Sequence, residues 1–499
     1  MFALILGVSV FVYLFFHLSW KRKNLPPGPI PIPFFGNLHS FYFNDMDVQL
    51  QKWKKQYGDI STLWFGGQPI ITLHDAPTIL ETFLKDGETY AARPNNMKWD
   101  DIIRLGRNGI VGSDGPKWRE NRRFALHVFR NFGLGKNLMQ ERVLEEVTHL
   151  ITDISSDIKH GSKDISIQNG IDLAVGSIIN GITFGYRYGK EKEEEFFKVK
   201  KFAQYLISEI ANPLFNIMNP DPEYYKKFPI CSTYYKKYTG EIQKMKDHFF
   251  NLIDKHRKRI NFDSNDEPTD FVEAYMRHQY KLKQDGITDN NYDDAQLYAT
   301  VLDLWIAGQE TTSNTLAWLC IYLIQNPKIQ QKLHKELEDI IGSDRIITLH
   351  DKNNLNYLNA IVAETQRYCN LVPINVPHRT TKATEIRGYK IPANTMITHQ
   401  ISTVLMDERY FPEPEKFMPE RFLDKKGKFF QPTELMPFGI GKRACLGEGL
   451  ARLELYLFTA NIFNHFKLDY PSNKTTFGNR LIGATITPVP FLCNVSKRF

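Results

Sequence analysis

Near the end of the chain one cysteine has an unusual setting: Pro437-Phe438-Gly439-Ile440-Gly441-Lys442-Arg443-Ala444-Cys445-Leu446-Gly447. A loop with two glycines and a basic pair leads into it. From Leu446 onward, Glu448, Leu450, Ala451, Leu453, Leu457 and Ala460 keep the spacing of a helix with an apolar face. The pattern predicts that Cys445 lies where a loop enters a helix, facing backbone N–H groups without intrahelical partners. Those donors and the helix dipole favour a thiolate over a thiol. A thiolate held open at a helix N-terminus is a metal ligand or a nucleophile.

A second stretch able to do chemistry is Ala307-Gly308-Gln309-Glu310-Thr311-Thr312. It sits mid-way along the longest helical pattern, Asp293 to Gln325, which Asn326-Pro327 stops. Gly308 weakens a helix by roughly 1 kcal/mol relative to Ala. Two threonines nearby can bond back to carbonyls of the preceding turn. Either this is a locally bent core helix, or a groove opens for a small ligand with an acid and an alcohol beside it.

Three readings compete for the cysteine loop. One is a structural cysteine in a Gly-rich turn. Another is dinucleotide binding, because Gly439 to Ala444 fits G-x-G-x-x-A; but Met436-Pro437-Phe438 is no strand, and no acid stands near position 463. The third is haem ligation through Cys445, with Phe438 covering the sulfur and Arg443 pairing with a propionate. The spacing Phe438-x-x-Gly441-x-Arg443-x-Cys445-x-Gly447 resembles the haem-binding loop of the cytochrome P-450 superfamily, whose axial ligand is a Cys thiolate.

Other segments resemble the same family, in the family's order. Ala307 to Thr311 is similar to its A-G-x-[DE]-T motif. That resemblance implies that Thr311 hydrogen-bonds the bound dioxygen and that Glu310 belongs to the proton supply. Trp118 and Arg122 are four apart on a helix opened by Gly115-Pro116 and share a face. They are surface residues or, as the W-x-x-x-R pair of the family, donors to the haem propionates. His378, in Asn375-Val376-Pro377-His378-Arg379, is a solvated surface histidine or a further propionate contact. Gly439 and Ala307 complete the set that the resemblance places against haem b.

These groups need a frame. Glu364-Thr365-Gln366-Arg367 and Pro419-Glu420-Arg421-Phe422 resemble the family's E-x-x-R and P-E-R-F segments, which implies a buried Glu364–Arg367–Arg421 triad bracing the cysteine loop. Ile60–Phe65 and Pro69–Leu73 around Gly66-Gly67 predict a hairpin. Met97 to Ser113 reads as loop and short helix, Leu138 to Ile260 as mostly helical, and Asn212 to Tyr238 as a lid. Phe2 to Trp20 contains no Lys, Arg, Asp or Glu and is followed by Lys21-Arg22-Lys23. This predicts an uncleaved signal anchor with the rest of the chain on the cytosolic side. Five prolines between Leu25 and Phe34 predict a stiff spacer, similar to the hinge of microsomal members.

Composition narrows the rest. A net charge of +7 with no nucleic-acid motif gives no footprint for nucleic acid. Five cysteines, far apart and without a C-x-x-C pair, indicate neither a zinc site nor a disulfide framework. The expected fold is mainly α with small β-sheets: anchor 1–23, hinge 24–37 and one haem-thiolate catalytic domain 38–499. The chain resembles animal microsomal members, nematode xenobiotic- and lipid-metabolising ones in particular. The resemblance implies a monooxygenase of the endoplasmic reticulum membrane acting on a lipophilic substrate with O2. Electrons would come from NADPH through a cytochrome reductase, with cytochrome b5 as a second candidate donor. A basic strip of Lys117, Arg119, Arg123, Arg130 and Lys442 is the expected reductase dock. A reductase-independent P-450 and a non-enzymatic haem carrier are the alternatives, and Glu310-Thr311 speaks against both.

Overall fold

The computed structural model describes residues 20–33, 35–43, 45–133, 137–264, 266–472 and 477–499, with scattered positions before residue 20. The anchor expected at Phe2 to Trp20 therefore lies almost wholly outside the described residues. Among those described, no helix is long and apolar enough to cross a membrane.

The elements that matter here, in chain order, are α1 (Met46–Tyr57), β1 (Ile60–Phe65), β2 (Gln68–Leu73), α2 (Gly115–Asn131) and α3 (Asn137–Lys159). They continue with α4 (Ile167–Phe184), α5 (Glu193–Glu209), α6 (Pro229–Arg257), α7 (Asp294–Gln325) and α8 (Asn356–Cys369). The last are β3 (His378–Arg379), β4 (Met396–His399) and α9 (Glu448–His465). The fold is mainly helical with small sheets, as expected.

The long helix α7 starts where its sequence says it must. The Asp293 carboxylate caps it, accepting from the Gln296 N–H at 2.7 Å. The helix is buried on nearly every face, and it packs against α4, α8 and α9. Gly308 is part of that packing. A Cβ at this position would lie 2.8 Å from Cδ1 of Ile179 on α4, so the glycine lets the two helices close together.

β1 and β2 form the expected hairpin, with Ile60 opposite Leu73 and Phe65 opposite Gln68. β4 runs parallel to β2, Ile71 beside Ile397, and β3 pairs antiparallel with β4. The Pro-rich segment is extended, but it is laid on the body instead of standing clear of it. The carbonyls of Pro26 and Pro27 accept from the hydroxyl and N–H of Thr62, and Asn37 is bonded to the main chain of Trp64. The segment Asn212 to Tyr238, expected as a lid, folds as two short helices, Pro213–Met218 and Pro222–Tyr225, followed by the start of α6. Lys98–Ile103 is the short helix expected between Met97 and Ser113.

The triad forms. Arg367 clasps Glu364 through two bonds of 2.7 and 2.8 Å, both side chains fully buried, and Arg421 reaches the same carboxylate at 3.2 Å. The two arginines also donate to the carbonyls of Leu405, Pro412, Glu413 and Lys416 and to the Met406 sulfur, and Glu364 accepts from the Met418 N–H. The triad thus pins residues 405–421, the segment that leads to the cysteine loop, and not the loop itself. Glu364→Ala would strand Arg367 as a buried unpaired cation, at a cost of about 3–5 kcal/mol. The urea midpoint of the purified protein should fall accordingly, and an unchanged midpoint would contradict the burial of the pair.

Candidate active site

The loop folds back on itself: the Cys445 N–H donates to the Phe438 carbonyl at 2.8 Å. Two left-handed residues, Gly439 (φ 74°) and Gly441 (φ 76°), make that return possible. Gly441 is required twice over, because a Cβ there would sit 1.9 Å from the Phe83 carbonyl oxygen. α9 begins at Glu448, two residues later than its apolar pattern suggested, with Gly447 at its N-cap.

The N–H groups of Gly447 and Glu448 do face the thiol, as the sequence predicts. Yet burial outweighs them, and Glu448 opposes them, so the Cys445 thiol is pushed up from its ordinary pKa. The expectation that the helix end alone secures a thiolate is thereby corrected. A coordinating metal removes the proton outright.

Cys445 is the most exposed cysteine, and its exposed surface faces a cavity of about 360 Å³ between α7 and the loop, so the protein packed around it still desolvates the sulfur. α7 contributes Ala307, Gly308, Thr311 and Thr312, and α2 contributes Trp118 and Arg122. Phe438, Gly439, Arg443 and His378 also line it. The Thr311 hydroxyl donates to the Ala307 carbonyl at 2.7 Å. Phe438 stacks under the Arg452 guanidinium, 4.8 Å away, while its carbonyl holds the cysteine.

One edge of the cavity is cationic. Arg122 donates to the Ala444 carbonyl at 2.6 Å, which ties α2 to the residue before Cys445. Arg443 donates to the carbonyls of Ala91, Ile110 and Ser113 and lies 3.8 Å over the Trp118 ring. Burial first, and then the neighbouring arginines 93, 122 and 107, push Arg443 down to about 8. The Trp118 Nε1 is buried without a partner. Desolvated guanidinium groups around an unused indole N–H describe a place built for an anion.

His378 is buried in this wall, its Nδ1 donating to the Tyr90 carbonyl at 2.6 Å. Burial, followed by Arg93 and His399, holds its pKa well below the ordinary value. The neutral ring then offers a lone pair at Nε2 and donates there only when protonated, which a carboxylate beside it would favour. The surface alternative for His378 is excluded.

Glu310 is not brought into the cavity. It is buried on the far side of α7, where Asn314 donates to its Oε2 at 3.2 Å and Oε1 has no partner. Burial, tempered by Lys200, raises its carboxyl to about 7. The pair Glu310-Thr311 therefore straddles the helix, with only the alcohol facing the cavity.

Two cavity residues escaped the reading of motifs. Arg93 is buried and donates to the carbonyls of Val111 and Pro377 at 2.9 Å each. Nothing in the sequence around it, Tyr90-Ala91-Ala92 before and Pro94 after, signals that role. Glu454 falls on the apolar stripe of α9, four residues after Leu450 and three before Leu457. It is buried beside Thr312, and desolvation raises it to about 8.

Among the described residues no group of three or more His, Cys, Asp or Glu is placed to hold a bare metal ion. A lone thiol suits a metal that arrives with most of its own ligands, and the cationic edge suits such a ligand with acidic arms. Residues 26–494 match the cytochrome P450 family. The chain belongs to that family.

Curated P450s cover nearly the whole of it. Cytochrome P450 2J2 of Homo sapiens is 33% identical, spanning 99% of this chain and 96% of its own length. Cytochrome P450 2J5 of Mus musculus is 32% identical over the same shares, and cytochrome P450 2D20 of Mesocricetus auratus 31% over 95% and 94%. The family binds haem iron through a cysteine thiolate, and this P450 is accordingly a haem-thiolate monooxygenase of the animal microsomal kind. The opening of Cys445, the donor-rich edge and the apolar wall of α7 all fit haem b.

Proposed function

We propose that this P450 hydroxylates or epoxidises a lipophilic xenobiotic, fatty acid or steroid, using electrons passed from NADPH through a flavoprotein reductase. The observation that carries the reading is a thiol opening into a largely apolar cavity walled by Ala307 to Thr312. Haem held by a thiolate supplies the oxygen activation, because the thiolate pushes electron density that favours O–O cleavage. Cys445 is the ligand, and Arg93, Arg122, Arg443, Trp118 and His378 hold the acidic arms of the cofactor. Gly439, which has no side chain, would leave room for the haem beside the loop, and Phe438 would shield the cysteine from water. The Ile110, Val111, Leu304 and Leu371 side chains exclude water and receive the apolar substrate.

Thr311 keeps a proton within reach of the oxygen substrate, and Glu310 replenishes it from behind the helix. Thr311→Ala should leave haem and substrate binding in place but waste electrons. In a reductase-reconstituted assay, product formation should fall about 10²–10³-fold while peroxide release rises. Unchanged coupling of NADPH consumption to product would remove Thr311 from the mechanism.

The reductase dock is a groove of about 690 Å³ lined by Arg119, Arg122, Arg123, Arg130, His127 and Lys442. Arg119 and Lys442 share Glu88, at 2.7 and 3.2 Å. Lys117, expected in this strip, turns instead to Asn108 and Asp293. Docking charges act on association and are screened beyond about 8 Å at physiological salt. Reversing Arg123 and Arg130 to Glu should slow the first electron transfer at low salt, with the deficit shrinking at high salt and peroxide-driven turnover spared. Equal loss in both assays would make the helix a support for haem and not a dock. Cytochrome b5 is the second partner that such a surface suits.

Residues 1–23 form the anchor in the endoplasmic reticulum membrane, 24–37 the hinge, and 38–499 the cytosolic catalytic domain. The docking of Pro26 and Pro27 on β1 supports a body that is complete downstream of the anchor. Deleting residues 1–20 should free the chain from membranes with haem content retained; loss of haem would put this segment in the core.

A further inference from the structure

The basic groove beside the cysteine loop holds one acid among its cations, Glu88. This residue stands in the turn 86–90, and its two carboxylate oxygens are taken separately. Arg119 of α2 meets Oε2 at 2.7 Å, and Lys442 of the loop meets Oε1 at 3.2 Å. Lys442 above all, with Arg119 behind it and burial opposing, holds the Glu88 carboxyl below the usual carboxylate range. The acid is therefore ionised at neutral pH. Arg123 and Arg130, further along α2, form no ion pair among the described residues. The groove thus has a neutralised end at the loop and a free cationic end.

Stability does not explain this arrangement. The side chains of Glu88, Arg119 and Lys442 are 55%, 55% and 54% exposed. Pairs so exposed contribute little, because water and salt screen them and two long side chains must be ordered. Yet the main chain that carries Glu88 is fixed. A Cβ on Gly87 would lie 2.9 Å from the Phe83 carbonyl oxygen and 3.1 Å from Cγ of Lys442, so the turn is pressed against the cysteine loop. The Thr381 hydroxyl donates to the Glu88 carbonyl at 3.3 Å, and its N–H to the Thr89 carbonyl at 2.8 Å. A fixed turn thus presents an accessible carboxylate to two cations that face outward.

We propose that Glu88 is an internal competitor for the acidic partner: it holds Arg119 and Lys442 in the free enzyme and gives them up in the complex. This rests on the reading of the groove as the reductase dock. Arg123 and Arg130, already unpaired, attract the acidic flavin domain as it approaches. Arg119 and Lys442 engage only when a carboxylate of the partner replaces Glu88. Docking at the loop is then an exchange, two ion pairs broken for two formed, and adds less affinity than the count of cations suggests. A partner without an acid at that point leaves Glu88 in place, so the exchange also selects among partners.

The test uses the full-length, haem-loaded enzyme and the soluble flavin domain of a microsomal NADPH–cytochrome reductase, with the dissociation constant read by surface plasmon resonance. At low salt, Glu88→Gln should bind about three- to tenfold more tightly than wild type, and the gain should vanish near about 1 M salt. Any lost negative charge would act in that direction, so a double-mutant cycle decides. In an Arg119→Gln/Lys442→Gln background Glu88 has nothing to surrender, and Glu88→Gln should change affinity by less than about twofold. Unaltered affinity in Glu88→Gln, or an equal gain in both backgrounds, overturns the proposal. If the doubly neutralised background does not hold haem, Lys442→Gln alone carries the test. The gain from Glu88→Gln should then be smaller than in wild type, and an equal gain overturns the proposal too. Reversing Arg123 and Arg130 to Glu separates the two levels. If that weakens binding while Glu88→Gln does nothing, the dock stands and the role of Glu88 falls; if neither acts, the groove is not the dock.

Discussion

The constraint on which the site depends is the gathering of three arginines at one edge of the cavity, none of which forms an ion pair with an acid among the described residues. Arg93, Arg122 and Arg443 are drawn out of water at one edge of the cavity. Asp114 is the one acid offsetting their mutual repulsion at Arg443, and burial still pushes that guanidinium down to about 8. Buried charge is costly unless it is paired. Main-chain carbonyls meet part of that cost, and they do something else as well. By holding Arg443 to Ala91, Ile110 and Ser113, and Arg122 to Ala444, they sew the cysteine loop to α2 and to the chain before it. The Trp118 indole N–H beside them is buried without a partner. The same side chains that fix the loop are those proposed to hold the cofactor.

Around that edge the fold provides a wall and a floor. α7 can approach α4 closely because Gly308 has no side chain, and the helix then presents Ala307 and Thr311 to the cavity while turning Glu310 away. The floor is the loop, whose return depends on Gly439 and Gly441, and it delivers Cys445 beneath α7. The triad of Glu364, Arg367 and Arg421 acts one step earlier, on the segment that feeds the loop. Stability and chemistry are therefore carried by different buried charges. The triad is paired and internal to the fold, whereas the arginine edge faces the cavity.

Much of this was legible in residue types and spacing. The cysteine loop, the capped 32-residue helix and the hairpin follow from local rules, because glycines at left-handed positions, an Asp N-cap and a Gly-Gly turn act within a few residues. Trp118 and Arg122 could be placed on one face by helical spacing. What could not be read were contacts between distant segments. Arg93 meets Val376 and Pro377 across more than 280 positions, and no local pattern announces it. The side of α7 that Glu310 takes was also hidden, since a motif gives the order of residues but not the orientation of the helix. The thiol of Cys445 shows a subtler limit. Its N–H donors were foreseen, but the degree of burial that outweighs them is a property of the packed site.

The central claim is that Cys445 ligates the iron as a thiolate from a loop that the arginine edge holds in place. The most direct measurement is the absorption spectrum of the ferrous carbon monoxide complex, compared between wild type and Cys445→His. Wild type should give the strongly red-shifted Soret band of thiolate ligation, and Cys445→His, with haem still bound, should give the blue-shifted band of a histidine-ligated haem. A red-shifted band that survives in Cys445→His would show that another cysteine holds the iron, and the account of the site would fail.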